Sequence, residues 1–486
     1  MSDNTPILVG IAHVEQRIGA LAEAKEPIEL MIDAVRQAAD DAGATGLLSK
    51  AGSVRVVRGI WGYANPAKAV AEAIGSPGAE TGITPYGGNF VQTAVNRTAI
   101  DIQAGKHDLV VITGAECGNT QAKAAKAGEE LNWQELPGTP DVNMGEEVEM
   151  RHDAEKAVRL GRPIQVYPIF ETALRHRLGM GVQEHLEHIS SLWADFSSVA
   201  ANNPNAWIRD AKSAEEIRTP SAVNRPVSFP YPKFMNSNNN VDQGAALIMC
   251  SEKFARQAGI DRSKWIYPWA GTDAHDHYFV SNRDSLSNSP AIRVAGRKCL
   301  ELAGVTPADL DHVDVYSCFP VAVQVAAEEL QLDTSKPLTV TGGLTWAGGP
   351  LNNYVMHSIV RMAELLRATP GEKGLITANG GYLTKHAFGV YSTEPPAGAY
   401  QHADLQPEVD ALLKRDVDMA FSGQATVEGY SVMFGAKGPD RAFVACRTPA
   451  DARAWAVVED PDVLNAMMAE EFCGRDIQVA NHTGSF

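Results

Sequence analysis

Two short segments of the chain combine proton-donating side chains with backbone that a ligand can approach closely. Tyr316–Phe319 (YSCF) places a phenol and a thiol at the end of a predicted strand. Ala378–Gly381 (ANGG) ends another predicted strand, and its glycines let backbone N–H groups approach a ligand. Tyr382 and His386 add two polar groups to the same loop. Because a tyrosine hydroxyl can donate to an oxyanion or supply a proton, these segments predict acid/base chemistry.

Each of these residues can also have a purely structural role. Cys318 can be a buried thiol at a strand end, with Tyr316 as its aromatic neighbour, and His386 can be a surface loop histidine. Asp273–His277 (DAHDH) contains the side chains of a metal site, but the segment is typical of a connecting strand and loop. We therefore expect no metal ion. The chain contains neither a phosphate-loop nor a dinucleotide fingerprint.

A repeated order of helix and strand must position these groups. Ile28–Gly43 has helical apolar spacing and is followed by a β-branched run, and Ala291–Phe319 repeats that order about 260 residues later. Ala99–Glu116 and Ile359–Gly381 share a second order of helix, turn, strand and glycine. Two matching orders predict duplicated α/β units.

Two further regions differ from these units. Residues 121–226 are polar, charged and helical in pattern, which predicts an inserted loop domain over one face of the core. Residues 396–486 alternate as strands around a Lys-Gly-Pro-Asp turn, with one helix, which predicts a small β-rich domain. The expected division is therefore 1–120, 121–226, 227–395 and 396–486, with a stiff boundary at Glu394-Pro395-Pro396.

Composition excludes several classes of protein. The chain has 486 residues and a formal net charge of −17, which disfavours broad binding to nucleic acid or to an anionic membrane surface. Its six cysteines lack metal-ligand spacing and suit a reducing compartment. We find no signal-peptide pattern and no apolar run of the roughly 18 residues that a membrane helix needs. The expected location is the cytoplasm.

The segment Asn236–Ile260 (NSNNNVDQGAALIMCSEKFARQAGI) resembles the thiolase superfamily, in which an Asn-rich turn, Asp-Gly-Ala-Ala and an apolar strand open the second half. Asn202–Trp207 (NNPNAW) resembles the sterol-carrier-protein-2 branch of that family. The resemblance covers roughly residues 5–395, and the C-terminal region resembles thiolase-like protein type 1. It implies two βαβαβαββ halves in α/β/α/β/α layers, a helical loop domain and a small C-terminal β-barrel-like domain.

The same resemblance implies a CoA thioester as substrate, with no permanently bound cofactor. Thiolases capture the acyl group on a cysteine, but here Gly88 stands at that position. Ala378 replaces the second catalytic cysteine, and Gly349 replaces the histidine of a Gly-His-Pro motif. His357 lies nearby, but we favour a packing role for it.

What remains of the family site is the acid/base position Cys318, with Tyr316 in place of a histidine. We predict Cys318, Tyr316, His386 and Tyr382 as catalytic residues. The predicted substrate-binding residues are Gly88, Asn89, Asn236, Asn238, Gly349, Asn379 and Gly380.

Three functions stay open at this point. The protein can act on the enolate of an acyl-CoA thioester by acid/base chemistry, it can be an ordinary thiolase that uses Cys318 or Cys117, or it can bind CoA esters without catalysis. We expect CoA to enter between the loop domain and the Asn236–Asn240 turn, with no stable acyl-enzyme. Residues 396–486 are expected to fold separately and to supply no catalytic group. Both a homo-oligomer, by family default, and a monomer, because of the extra domain, stay open.

Overall fold

A computed structural model describes residues 3–486. The strands are β1 (Pro6–Glu15), β2 (Ser53–Val56), β3 (Glu80–Ile83), β4 (Leu109–Cys117), β5 (Val142–Asn143), β6 (Pro226–Phe229), β7 (Tyr231–Pro232), β8 (Asp242–Ser251), β9 (Tyr267–His275), β10 (His312–Asp314), β11 (Lys373–Gly380), β12 (Lys385–Ser392), β13 (Gln401–Asp404), β14 (Gly423–Gly435), β15 (Gly438–Arg447), β16 (Arg453–Val458), β17 (Asp476–Ala480) and β18 (Thr483–Ser485).

The helices alternate with these strands in the first part of the chain and dominate its middle. They are α1 (Pro27–Ala42), α2 (Pro66–Ala73), α3 (Phe90–Gln103), α4 (Gly118–Ala127), α5 (Asp153–Ala157), α6 (Pro163–Leu178), α7 (Val182–Asn202), α8 (Ala214–Arg218), α9 (Glu252–Ala258), α10 (Arg297–Ala303), α11 (Pro320–Leu330), α12 (Gly343–Trp346), α13 (Tyr354–Ala368), α14 (Gln406–Asp410) and α15 (Pro461–Ala469).

Two sheets and three helical layers form the core. The first sheet has the order β1-β8-β4-β2-β3-β5, and the second has the order β10-β11-β12-β9-β13. Helices α3 and α13 pack between the sheets, α1 and α2 cover the outer face of the first sheet, and α10 and α11 cover the second. The strands between helices are buried along their whole length, as sheets covered on both faces require. The layered duplicated core is therefore confirmed.

Two details differ from the expected division. The strand that follows the Asn-rich turn, β8, pairs with β1 and β4 and so completes the first sheet rather than opening the second half. The second half also has one regular strand fewer than the repeat implies. Residues 338–341, between α11 and α13, meet the β10 segment through a single backbone–backbone bond, from the Val315 N–H to the Leu338 carbonyl at 2.9 Å, and otherwise through the Asp314 carboxylate.

The C-terminal region forms a closed barrel of five strands. They follow the order β15-β16-β18-β17-β14, and pairing of β14 with β15 closes the ring around its own apolar core. The barrel begins later than residue 396, because β13 still pairs with β9 in the second core sheet. The hairpin β6–β7 extends the barrel sheet from β14.

Buried polar contacts join the barrel to the rest of the molecule. The Arg453 guanidinium is fully buried and donates to the backbone carbonyls of Val280, Ser281 and Arg283. It also forms a two-pronged pair with the Glu428 carboxylate, at 2.7 and 3.0 Å. On the loop-domain side, Arg175 pairs with Glu471 at 2.9 Å. Hydrogen bonds and ion pairs thus attach the barrel to the rest of the molecule. The strand alternation in its sequence did not predict this attachment.

Within residues 3–486, no helix has the length and apolar character needed to cross a membrane.

Candidate active site

A cleft of 390 Å³ opens where the loop domain meets the core. The start of α6 forms one wall, with Arg162 exposed and Tyr167 buried. The Asn-rich turn before β8, the segment between β10 and α11, the Gly87-Gly88 turn before α3 and the end of β11 form the remaining walls. We call this space the Tyr316 cleft. It collects Gly88, Asn236, Tyr316, Cys318, Asn379 and Gly380 from the sequence-predicted residues.

Gly88 lies against the Tyr316 side chain. A Cβ atom added to Gly88 would stand 2.6 Å from the Tyr316 hydroxyl oxygen and 2.5 Å from the Asn379 carbonyl oxygen. Both distances are far below a normal van der Waals contact. The position that the resemblance assigns to an acyl-accepting cysteine is therefore filled from the side by a tyrosine hydroxyl, and a cysteine does not fit there without displacing Tyr316.

The Tyr316 hydroxyl is available to a ligand. Tyr316 lies two residues after the end of the short strand β10, and its backbone N–H donates to the Thr377 hydroxyl at 2.9 Å, which fixes its backbone beside β11. Its own hydroxyl makes no hydrogen bond within residues 3–486. Burial raises the pKa of Tyr316 above its ordinary value, and the nearby Cys318 thiol acts in the same direction. The group therefore stays protonated and can donate.

Cys318 is a buried thiol rather than a nucleophile. Its Sγ lies 3.7 Å from the Asn379 side-chain nitrogen, and burial raises the pKa of the thiol to about 12. A nucleophilic cysteine needs a pKa near or below neutrality. At neutral pH Cys318 is thus a second proton donor in the cleft wall.

Tyr167 connects the loop domain to this wall, and the sequence did not single it out. Its hydroxyl accepts from the Asn379 side chain at 3.0 Å and from the Leu383 N–H at 2.8 Å. Its ring stacks on Phe319, with 4.4 Å between ring centres. Tyr167 lies inside the apolar helical run of α6, where no local signal separates it from a core residue.

Two amide oxygens in the wall lack partners. The side-chain nitrogen of Asn236 donates to the Pro232 carbonyl at 2.8 Å, while its Oδ1 is buried without a hydrogen bond. Asn379 donates to Tyr167, and its Oδ1 is also buried and unpaired. Buried polar atoms normally have partners, so these two oxygens are unused hydrogen-bond acceptors in the cleft wall.

Two predicted catalytic residues lie outside the Tyr316 cleft. His386 is buried on the second sheet, with its Nε2 3.4 Å from the Ser289 hydroxyl and 3.7 Å from the Asp276 carboxylate. Tyr382 donates its hydroxyl to the Gly161 carbonyl at 2.6 Å. Asn379 and His386 pair across β11 and β12 instead of sharing one loop, and Tyr382 lies in the turn between these strands.

Three predicted binding residues also do not line the Tyr316 cleft. Asn238 bonds within its own turn and accepts the Gly349 N–H at 2.9 Å, so both residues hold the Asn-rich turn in place. Asn89 begins α3 behind the cleft wall, and its Oδ1 is buried without a partner. These residues shape the wall from behind.

Cys117 and His357 are core residues. Cys117 is fully buried in the apolar cluster of the first sheet, and burial raises the pKa of its thiol. His357 packs against His13, with 3.0 Å between their Nδ1 atoms, and burial lowers the pKa of His357 well below its ordinary value. The packing interpretation of His357 agrees with this position.

The chemistry of the Tyr316 cleft follows from its titratable groups. Within residues 3–486, these are Arg162, Tyr167, Tyr316 and Cys318, and neither a carboxylate nor an imidazole lines the cleft. Arg162 is exposed and makes no ion pair within the same residues. The arrangement can donate hydrogen bonds and protons to a bound carbonyl oxygen, but it offers no activated nucleophile.

Two family models match parts of the chain. Residues 404–483 match the thiolase-like protein type 1 additional C-terminal domain. Residues 272–336 match a thiolase C-terminal domain-like family. The two matches lie on either side of β11 and β12 and thus cover the barrel and the first part of the second sheet.

One similar crystal structure and two proteins of similar sequence agree with these family matches. The crystal structure of a monomeric SCP2-thiolase-like protein type 1 from Mycobacterium smegmatis is similar over 100% of both chains, with a TM-score of 0.86 and 29% identity. An acetyl-CoA acetyltransferase from Methanothermobacter thermautotrophicus is 25% identical over 36% of this chain. Sterol carrier protein 2 from Homo sapiens is 25% identical over 44% of it. The chain spans 47% and 42% of the lengths of these two curated relatives.

Proposed function

The chain belongs to the thiolase superfamily, and we propose that its Tyr316 cleft binds an acyl-CoA thioester and acts on the enolate without covalent capture of the acyl group. The observation that carries this proposal is the Tyr316 hydroxyl, which stands free of partners beside Gly88. A hydrogen-bond donor there is suited to the thioester carbonyl oxygen, and no cysteine thiolate competes for the carbonyl carbon.

The mechanism rests on charge that develops at that oxygen. When a bond to the α-carbon breaks, or its proton passes to water in the open cleft, the electron pair moves onto the thioester oxygen. The Tyr316 hydroxyl then donates to an oxyanion, a contact that strengthens as the charge grows. Cys318 supplies a second proton donor to the same wall, because its thiol stays protonated at neutral pH.

The mouth of the cleft suits the CoA arm. Arg162 is an unpaired cation at the start of α6, and a guanidinium binds phosphate through paired hydrogen bonds. The buried Asn236 oxygen can accept an amide N–H from the arm. This arrangement supports entry between the loop domain and the Asn236–Asn240 turn.

Binding of CoA esters without catalysis is the second candidate. It is favoured by one observation: no carboxylate or imidazole among residues 3–486 lines the Tyr316 cleft, so a general base for the α-proton is not at hand. An ordinary thiolase reaction is disfavoured, since Cys318 has a raised pKa and Cys117 lies in another core.

One experiment separates these functions. The protein is incubated with acetyl-CoA in deuterated water, and both the acetyl group and the intact protein are analysed by mass spectrometry. The proposal predicts deuterium at the α-carbon and no acetyl adduct on the protein. Binding without exchange would support the second candidate, and a persistent acetyl adduct on a cysteine would support the ordinary thiolase and contradict the proposal.

A place in lipid metabolism and the cytoplasmic location stay predictions. For the oligomeric state we propose a monomer, since the similar Mycobacterium smegmatis protein is described as monomeric.

A further inference from the structure

A second cleft lies on the other side of the turn that carries Gly88. Gly87 and Gly88 line the Tyr316 cleft, while Asn89 and Phe90 line this second space of 320 Å³. Its walls are α3, the ends of β9 and β12, and β13, the strand that precedes the barrel. We call it the Lys385 cleft. Unlike the Tyr316 cleft, it contains an amine, imidazoles and carboxylates.

Lys385 is an amine held away from water. The residue is 8% exposed, its ammonium donates to the Tyr86 carbonyl, and it lies 5.0 Å from the centre of the Phe90 ring. Within residues 3–486 no carboxylate forms an ion pair with it, although Glu147 is near enough to favour the charged form. Burial lowers the pKa of Lys385 to about 8. A desolvated lysine of this kind is the usual amine nucleophile of proteins.

His275 is the direct cross-strand neighbour of Lys385. The two residues pair between β9 and β12, so their side chains stand on the same face of the sheet. The His275 Nδ1 lies 2.9 Å from the Asp276 carbonyl oxygen and donates to it, which leaves Nε2 as an unprotonated base. Burial lowers the pKa of His275 and so favours this neutral form.

Two more imidazoles, those of His386 and His402, and a free cation also line the cleft. His402, from β13, pairs with Asp273 at 2.8 Å, and Asn96 also donates to that carboxylate at 3.0 Å. Arg97 is exposed, lines the cleft and makes no ion pair within residues 3–486. It lies two helical turns after Phe90, about 10 Å along α3. An acidic group on a ligand can therefore bind Arg97 while another part of the ligand reaches Lys385.

We propose that the Lys385 cleft is a second site, which takes an aldehyde or ketone that also carries a carboxylate and holds it as an imine on Lys385. The Nζ lone pair forms a bond to the carbonyl carbon, and the π electrons move to the oxygen. His275 first carries one proton from the nitrogen to the alkoxide, which gives the carbinolamine. It then carries the second nitrogen proton to the carbinolamine hydroxyl, which leaves as water. The products are one imine and one water molecule, and no oxidant, metal or cofactor is needed.

The test is reductive trapping in the full chain. The protein is incubated near pH 7.5 with succinic semialdehyde and cyanoborohydride, and the adduct is located by peptide mass mapping. The proposal predicts one dominant adduct on Lys385, formed at least about tenfold faster than on the exposed Lys437, because the lowered pKa of Lys385 leaves more of its own amine free near pH 7.5. Butanal, which lacks the carboxylate, should react several-fold more slowly.

Variants sharpen this result. Lys385→Met should remove the dominant adduct, while Lys253→Met, at an exposed lysine on α9, should leave it unchanged. Arg97→Gln should bring the rate with succinic semialdehyde down to that with butanal. If the wild-type protein reacts only at its exposed lysines, or at Lys385 no faster than at Lys437, the proposal fails whether or not Lys385→Met folds.

Discussion

The Tyr316 cleft and the barrel–core interface use buried polar groups in opposite ways. At the interface, the Arg453 guanidinium satisfies three backbone carbonyls and one carboxylate, so its charge is fully compensated. In the cleft, the Tyr316 hydroxyl and the Asn236 and Asn379 amide oxygens have no partner within residues 3–486. Buried polar groups that are paired, as at the interface, stabilise the fold. Unpaired groups, as in the cleft, lower stability and are available to bind a ligand.

The largest expected effect concerns the interface. Arg453→Met leaves the Glu428 carboxylate and three carbonyls without their donor, and we expect a loss of about 3–5 kcal/mol in the free energy of unfolding. Urea denaturation measures it. Arg475→Met removes an exposed arginine of the same barrel and should change stability by less than about 0.5 kcal/mol. Equal effects of the two substitutions would contradict a stabilising role for the interface.

Gly88 tests how tightly Tyr316 fills the cleft wall. Gly88→Ala brings a methyl group against the Tyr316 hydroxyl and the Asn379 carbonyl, and we expect a loss of about 2–3 kcal/mol. In a double-mutant cycle with Tyr316→Ala, the second substitution should recover at least about 1 kcal/mol of that loss. Strict additivity would show that the two residues do not compete for the same space.

Lys385 should behave as a group that lowers stability. Its folded-state pKa of about 8 lies below that of an unfolded lysine, so between about pH 8 and 10.5 the unfolded state binds more protons. Stability of the wild-type protein should therefore rise with pH in that window through this group. Lys385→Met should add about 1–2 kcal/mol at pH 7 and progressively less toward pH 10. If the gain in stability of Lys385→Met did not change with pH, the gain would come from packing alone.

The smallest expected change in stability belongs to Tyr316. Tyr316→Phe removes a hydroxyl that has no partner, so unfolding should shift by less than about 0.5 kcal/mol. Affinity for acetyl-CoA should fall by about five- to tenfold, while affinity for free CoA, which has no acyl carbonyl, should stay the same. Calorimetric titration measures both.

The neighbouring Tyr354 provides the matched control. Its ring lies 5.6 Å from that of Tyr316, but its hydroxyl bonds to Thr341 at 2.6 Å and to Asp314 at 3.2 Å. Tyr354→Phe should therefore cost about 1–2 kcal/mol of stability and leave both affinities unchanged. If Tyr316→Phe were the more destabilising of the two, the contrast between paired and unpaired groups would be wrong.

Sequence patterns predicted the layered core because its signals are local. Helical spacing in α1, with Gly43 at its end, and the apolar runs of β4 and β11 are visible within 10 to 16 residues. The pairing of β8 with the first sheet could not be predicted in this way, since it depends on contacts with β1, more than 200 residues away. The same limit applies to the barrel. Residues 396–486 were expected to fold separately, but a chain that ends near Pro395 would lose Arg453, the donor to the carbonyls of Val280, Ser281 and Arg283.

Four residues singled out by motifs at strand and helix ends share one cleft although they are distant in sequence. Tyr316, Cys318, Asn379 and Gly88 meet in one cleft because each lies at the end of a strand or the start of a helix. His386 is the second residue of β12, where it lies beside the Asp276 carboxylate instead of in the Tyr316 cleft. The role of Lys385 comes from burial under β13 and α3, which no motif in its own segment indicates.

The most direct test of the central claim is a crystal structure of the protein soaked with acetyl-CoA. The account predicts the thioester carbonyl oxygen within about 3 Å of the Tyr316 hydroxyl, with the sulfur near Cys318 and no bond between any protein sulfur and the acetyl carbon. Continuous density from a cysteine Sγ to the acetyl group, or an acetyl carbonyl remote from Tyr316, would contradict it.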